Sequence, residues 1–113
     1  MELSAVVKEE ELNLTLADGT VQALVMKEMT GEQRDTYFDK QAALVGKDGK
    51  ITKFKDLHCL LITLAVYDTA TGKTVTLEES RKWPASTQSA VFKRLQELSD
   101  IGVDKKDDDP KNE

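Results

Sequence analysis

One pair of adjacent residues, His58 and Cys59, has the chemistry to bind a metal ion or to act as base and nucleophile. Neighbouring positions on a helix point about 100° apart, so the two side chains would not hold one ion together. A zinc site needs three or four ligands, and the chain has no second histidine or cysteine. We therefore expect His58 at a helix surface or boundary and Cys59 as an unreactive buried thiol.

Two acidic runs and one glycine-containing loop are the other candidates for chemistry. General acid catalysis needs a carboxyl whose pKa is raised by burial, whereas Glu9–Glu11 and Glu78–Glu79 lie in polar or helix-capping contexts. The segment Gly46–Thr52 lacks the spacing of a phosphate-binding loop. Neither Asp18-Gly19 nor Asp48-Gly49 has the ligand pattern of a calcium loop. The sequence therefore predicts no catalytic residue, no metal site and no cofactor.

The composition excludes several further classes. Of the 113 residues, 33% are charged and 39% are hydrophobic, which suits one domain with a modest core. The single cysteine excludes a disulfide scaffold, and no apolar run approaches the roughly 20 residues of a membrane span. The first residues lack a signal-peptide pattern, which favours the cytoplasm. The formal net charge of −5 argues against nucleic acid as partner, because phosphate binding needs basic surface.

The first element that the sequence predicts is a β-hairpin. Two runs have apolar residues at every second position, the period of a strand with one buried face. These residues are Leu12, Leu14 and Leu16 in the first run, and Val21, Ala23 and Val25 in the second. Asp18-Gly19 between the runs is a strong hairpin turn. Upstream, Leu3–Val7 could add a short strand or form a loose arm.

Residues 30–45 predict the first helix. Thr30 and Gln33 have the spacing of a capping box, in which each side chain accepts a hydrogen bond from the other residue's backbone N–H. Apolar residues then recur with helical period. The pattern predicts a helix over Gly31–Val45 that buries Phe38, Ala42 and Val45.

The most apolar stretch, Lys53–Tyr67, predicts the central helix of the domain. A helix that is apolar over so much of its circumference is normally buried. Its two predicted core stripes are Phe54, Leu57, Leu61 and Leu64, and beside them Cys59, Ile62 and Val66.

Two more helices complete the predicted domain. Thr76 and Glu79 form a second capping box, which begins a short helix that ends before Pro84. Ser86 or Thr87 can cap a last helix that runs to about Asp100, with Gly102 just past its end. Its predicted buried residues are Val91, Leu95 and Leu98.

Together these elements predict an α+β fold in which an N-terminal hairpin packs on a small bundle of three to four helices. We divide the chain into an N-terminal arm (residues 1–9), a single α+β domain (residues 10–102) and a charged tail (residues 103–113). The sequence from Asp104 onward contains no apolar residue. We therefore expect an acidic, disordered C-terminal tail.

Trp83, the only tryptophan, has two interpretations. It either fills the core at the corner between two helices or anchors a partner, because tryptophan is enriched at binding hot spots. We take Trp83, Phe92 and Leu95 as the candidate partner-binding residues.

The order of elements resembles that of the small tail assembly chaperones of long-tailed bacteriophages. The matching stretches are Leu12–Val25, Thr30-Gly31-Glu32, Leu57–Tyr67, Thr76–Glu79 and Val91–Leu98. The resemblance implies a non-enzymatic protein of the host cytoplasm that binds the tape-measure protein, a long and largely helical chain, and keeps it soluble. It also implies recruitment of tail-tube subunits, and some members of the family form homo-oligomers.

Two other classes remain open. The chain could be a small structural phage subunit or another bacterial protein-protein interaction module. In the chaperone interpretation, an apolar groove between helices would receive a partner helix through residues at helical spacing. The third class is an enzyme, whose best residues would be His58 and Glu79.

Overall fold

A computed structural model describes residues 1–101, in which a three-stranded antiparallel sheet packs against four helices. The elements in chain order are β1 (Glu9–Thr15), β2 (Val21–Lys27), α1 (Gly31–Ala42), α2 (Cys59–Ala65), β3 (Val66–Asp68), α3 (Leu77–Arg81) and α4 (Ala85–Ser99). The predicted α+β class and the N-terminal hairpin are confirmed. The predicted tail, residues 103–113, and Gly102 lie outside the described residues.

The hairpin forms at the predicted turn. Gly19 takes a φ of 88°, which glycine adopts without steric cost. The Asp18 carboxylate accepts hydrogen bonds from the Thr20 backbone N–H at 3.0 Å and from the Thr20 hydroxyl at 2.7 Å. Upstream of β1, Leu3–Val7 forms no strand, so the structure favours the arm over the short strand.

The sheet buries the face of β2 opposite to the predicted one. Leu24 and Met26 are buried, whereas Val21 is 62% exposed and Ala23 is also exposed. The register explains the difference, because Leu24 lies directly opposite Leu12 and therefore shares its face of the sheet. A strand with so many consecutive apolar residues does not reveal its buried face by alternation.

The first capping box is confirmed, but α1 buries a different residue from those predicted. The Thr30 hydroxyl accepts from the Gln33 backbone N–H at 3.2 Å, and the Gln33 side chain accepts from the Thr30 backbone N–H at 2.9 Å. Tyr37 is the buried residue of α1. The three predicted residues, Phe38, Ala42 and Val45, are exposed. Val45 lies beyond the end of the helix, which stops at Ala42.

The central helix is shorter than the predicted span of Lys53–Tyr67. Asp56 takes a φ of 63°, a left-handed conformation that cannot continue a right-handed helix. The chain becomes extended again at Val66 and forms β3, which the sequence did not predict. Leu61 and Ile62 are fully buried as expected, whereas Phe54 lies outside the helix and is 68% exposed.

The last two helices match the prediction closely. The Thr76–Glu79 capping box is present. α4 begins directly after Pro84, which occupies the N-cap position in place of the predicted Ser86 or Thr87, and Asp100 ends it in the left-handed conformation. The predicted core residues Val91, Leu95 and Leu98 are buried. None of the helices in residues 1–101 is long and apolar enough to cross a membrane.

An ion pair connects the start of the α2 region to α3. The Arg81 guanidinium donates to both carboxylate oxygens of Asp56, at 2.7 and 2.6 Å. These hydrogen bonds hold the pKa of Asp56 below its ordinary value of 3.8. The carboxylate thus favours the native state above about that pH, and this contribution is lost as the pH falls through the lowered native pKa.

We predict that Asp56→Asn modestly lowers the free energy of unfolding at about pH 7. The difference in this free energy between the variant and the wild type should be smaller at about pH 3. Asparagine tolerates the left-handed backbone, so the variant removes the charge and leaves the conformation possible. Urea unfolding at both pH values measures the difference. Asp39→Asn, an exposed change in α1, is the control and should alter stability little at either pH. A difference that grows on acidification would contradict the assignment of the pair.

Candidate functional site

The three predicted partner-binding residues lie in different surroundings. Leu95 is fully buried in the core and presents no surface to a partner. Phe92 is half-buried and packs against the His58 ring, with ring centroids 4.5 Å apart. Trp83 is 9% exposed and belongs to the core cluster, and its remaining surface lines a cleft. Only Trp83 is therefore placed at a candidate site.

This cleft, called the Trp83 cleft below, has a volume of about 460 Å³. It lies between the turn end of the hairpin and the corner where α3 meets α4. The lining residues are Leu14, Thr15, Leu16, Ala17, Gln22, Glu79, Lys82, Trp83 and Pro84. Most of its lining surface is apolar, so it suits apolar side chains of another molecule.

The helical wall of the cleft is held by hydrogen bonds around Ser80, which is fully buried. The Ser80 carbonyl accepts from the Trp83 backbone N–H at 3.2 Å and from the Gln88 side-chain amide at 2.6 Å. The Ser80 hydroxyl donates to the Leu77 carbonyl at 3.0 Å. The two bonds to the Ser80 carbonyl connect the Trp83 backbone and α4 to α3 and so hold the corner at which Trp83 lies.

The hairpin wall is held by the turn. The Leu16 backbone N–H donates to the Thr20 carbonyl at 2.7 Å, and the Gly19 N–H donates to the Leu16 carbonyl at 2.9 Å. Leu14 is 8% exposed and Leu16 is 39% exposed. Leu16, just after the end of β1, is therefore more accessible than Leu14, and both line the cleft next to the turn.

Two charged residues line the cleft beside this apolar surface. Glu79 is engaged by its own helix, since its carboxylate accepts from the Thr76 backbone N–H and hydroxyl at 3.1 and 3.0 Å. Lys82 makes no ion pair within residues 1–101. The Trp83 cleft can therefore bind apolar groups, with the Lys82 side chain beside them.

Of the residues with potential for chemistry, Glu79 lines the cleft, whereas His58 and Cys59 lie apart from it. Cys59 is 2% exposed, which confirms the prediction of a buried thiol, and His58 is half-buried at the boundary of α2 as expected. A smaller depression contains both of them together with the Asp56–Arg81 ion pair. No group of three or more metal-binding side chains occurs within residues 1–101.

Sequence reasoning missed Leu14 and Leu16 as site residues because alternation marks both as hairpin core. The available signal was the position of Leu16, the last apolar residue before the turn. Trp83 lies 67 residues further along the chain than Leu16, and no local pattern shows that the two meet.

No protein-family model, curated protein or solved structure matches the chain. The cleft and its residues therefore carry the functional argument.

Proposed function

We propose that the protein is a non-enzymatic binding protein that holds an apolar segment of a partner in the Trp83 cleft. The observation that carries this proposal is the apolar lining shared by Leu16 and Trp83, which come from opposite walls of the cleft. Leu16 keeps 39% of its surface accessible although it directly adjoins the core residue Leu14. An apolar cleft with a few polar groups at its edge is the ordinary form of a binding site.

We further propose that the partner is the tape-measure protein of a long-tailed phage and that the chain acts as a tail assembly chaperone. The support is the order of elements: the hairpin, the two capping boxes and the last helix occur as in the resemblance described above. A long helical chain exposes apolar side chains before assembly, and the cleft would cover some of them. The net charge of −5 would help to keep such a complex in solution. Recruitment of tail-tube subunits belongs to the same proposal.

Co-expression with the tape-measure protein of the same phage genome tests both parts. The wild-type chain should increase the soluble fraction of the tape-measure protein and co-purify with it. Leu16→Glu should reduce co-purification about tenfold or more, because a carboxylate would enter an apolar cleft without a partner. The matched control is Val21→Glu, which adds the same charge to the same hairpin at a position that is 62% exposed and outside the cleft.

The outcomes distinguish the proposed binding site from the proposed chaperone function. If Leu16→Glu folds normally and still co-purifies like the wild type, the Trp83 cleft is not the binding site. If the wild-type chain neither solubilises nor co-purifies with the tape-measure protein, the chaperone proposal is wrong. Finding the chain in finished virions would instead support a small structural subunit.

A further inference from the structure

Within residues 1–101, β1 is an edge strand whose outer side has no neighbouring strand. On its inner side, Leu16 and Lys8 are hydrogen-bonded to Thr20 and Glu28. Bonded pairs alternate along an antiparallel ladder, so the even-numbered residues of β1 direct their backbone groups toward β2. The odd-numbered residues direct theirs away from the sheet; they are Glu9, Glu11, Asn13 and Thr15.

The opposite edge of the sheet is covered. The Asp68 N–H donates to the Lys73 carbonyl at 2.8 Å, and the Val75 N–H donates to the Val66 carbonyl at 2.9 Å. The segment after β3 thus occupies that edge. Within residues 1–101, no segment bonds to the outward backbone groups of β1 in the same way.

The charges along β1 are acidic. Glu11 is exposed and makes no ion pair within the described part of the chain, and Glu9 lies 3.7 Å from Lys27 in an exposed pair. Glu10 points to the other face, where the Arg94 guanidinium donates to it at 2.6 and 2.8 Å. Carboxylates on the outer face of an edge strand favour lysine or arginine on a strand added beside them.

The Trp83 cleft lies at the same edge. Leu14 in β1 and Leu16, just after the end of β1, line the cleft. Side chains alternate between the two faces of a strand. A strand added beside β1 would therefore direct every second side chain toward the leucine face, and near the turn into the cleft. The intervening side chains would lie beside Glu9 and Glu11.

We propose that β1 binds an extended, basic segment of a partner protein as a fourth strand of the sheet. The outward backbone groups of Glu9, Glu11, Asn13 and Thr15 pair with the segment, its alternate apolar side chains enter the Trp83 cleft, and its lysines or arginines face Glu9 and Glu11. This inference rests on the proposed use of the cleft for partner binding and specifies the conformation and charge of the bound segment. Strand addition of this kind derives affinity from the backbone and specificity from alternate side chains.

The probe is a capped peptide of seven residues, the length of β1, with valine at alternate positions and lysine at the two positions facing Glu9 and Glu11. Changes in Trp83 fluorescence or peptide anisotropy measure its dissociation constant. Replacement of both lysines by glutamate should weaken binding about tenfold or more. Glu11→Gln should weaken it severalfold, whereas Glu32→Gln, the same charge change on α1, should not.

Asn13→Pro tests the backbone pairing. Proline removes an N–H that points away from the sheet, so the ladder with β2 keeps its bonds. Binding of the peptide should fall about tenfold or more, whereas Asn13→Ala, which keeps the N–H, should bind like the wild type. If the proline variant fails to fold, a peptide N-methylated at its pairing positions tests the same bonds with the wild-type chain.

Three results would overturn the inference. The first is equal binding of the peptide by Asn13→Pro and Asn13→Ala. The second is dimerisation of the chain that Asn13→Pro abolishes, which would assign the edge to a second copy. The third is a tape-measure complex that Leu16→Glu disrupts and Asn13→Pro leaves intact. In that case the cleft would bind its partner without strand addition, and the proposed function would stand alone.

Discussion

Leu61→Ala should lower the free energy of unfolding by about 2–5 kcal/mol, the range observed when a fully buried leucine is truncated to alanine. Leu61 has no exposed surface and lies in α2, which packs against α1, α3 and α4. Truncation removes its buried methyl groups and leaves a cavity that the surrounding residues only partly fill. Urea unfolding followed by tryptophan fluorescence measures the loss, because Trp83 is the only tryptophan and is nearly buried.

Phe54→Ala is the matched control for this measurement. The sequence places Phe54 and Leu61 on one stripe of one helix, but the structure leaves Phe54 68% exposed. Its truncation should change stability by less than about 0.5 kcal/mol, as is usual for surface positions. A large loss for Phe54→Ala together with a small loss for Leu61→Ala would contradict the break at Asp56.

Trp83→Ala is expected to cost about 3–5 kcal/mol of stability and to abolish partner binding. Trp83 belongs to the core cluster and also lines the Trp83 cleft, so its truncation would remove both core packing and part of the proposed binding surface. Circular dichroism must follow this unfolding, since the fluorescent side chain is removed. Trp83→Phe keeps much of the buried area and should retain more of both stability and binding.

Leu77→Ala provides the comparison on α3, the helix that precedes Trp83. Leu77 is an apolar residue of α3 that is 37% exposed and does not line the cleft. We expect a loss below about 1 kcal/mol and unchanged partner binding. A Trp83→Ala variant with wild-type stability would show that the indole does not contribute to the core.

Local chemistry made the hairpin turn and the starts of α1 and α3 predictable, whereas α2 and α4 begin at other residues than predicted. The two capping boxes at Thr30 and Thr76 and the turn at Asp18-Gly19 each involve residues within a few positions of one another, so the sequence contains the whole interaction. The period of the last helix likewise placed Val91, Leu95 and Leu98 in the core.

Features that depend on distant neighbours were not predictable in this way. β3 consists of three residues that continue an apolar run, and only pairing with β2 makes them a strand. The buried face of β2 is decided by its register with β1. In α1, Tyr37 is buried and Phe38 exposed because of how the helix lies on the domain, which its own period does not specify.

The candidate site likewise contains one residue that the sequence could identify and others that only the fold brings together. Trp83 was identifiable from its type and from its position before Pro84, whereas Leu95 was wrongly grouped with it and belongs to the interior. The Trp83 cleft needs Leu14 and Leu16 from the other end of the chain. The open edge of β1 became visible only once the strand order was known.

The contacts between α4 and the hairpin have a consequence for synthesis of the chain. Arg94 binds Glu10 across 84 positions, and the Ser99 hydroxyl accepts from the Met29 N–H across 70. A hairpin forms in microseconds once translated, but the ribosome needs on the order of 10 s to add the residues up to α4. Over that interval the apolar face of Leu14, Leu24 and Met26 lacks the covering helix. The glutamates of β1 would then hinder nascent hairpins on neighbouring ribosomes from pairing edge to edge.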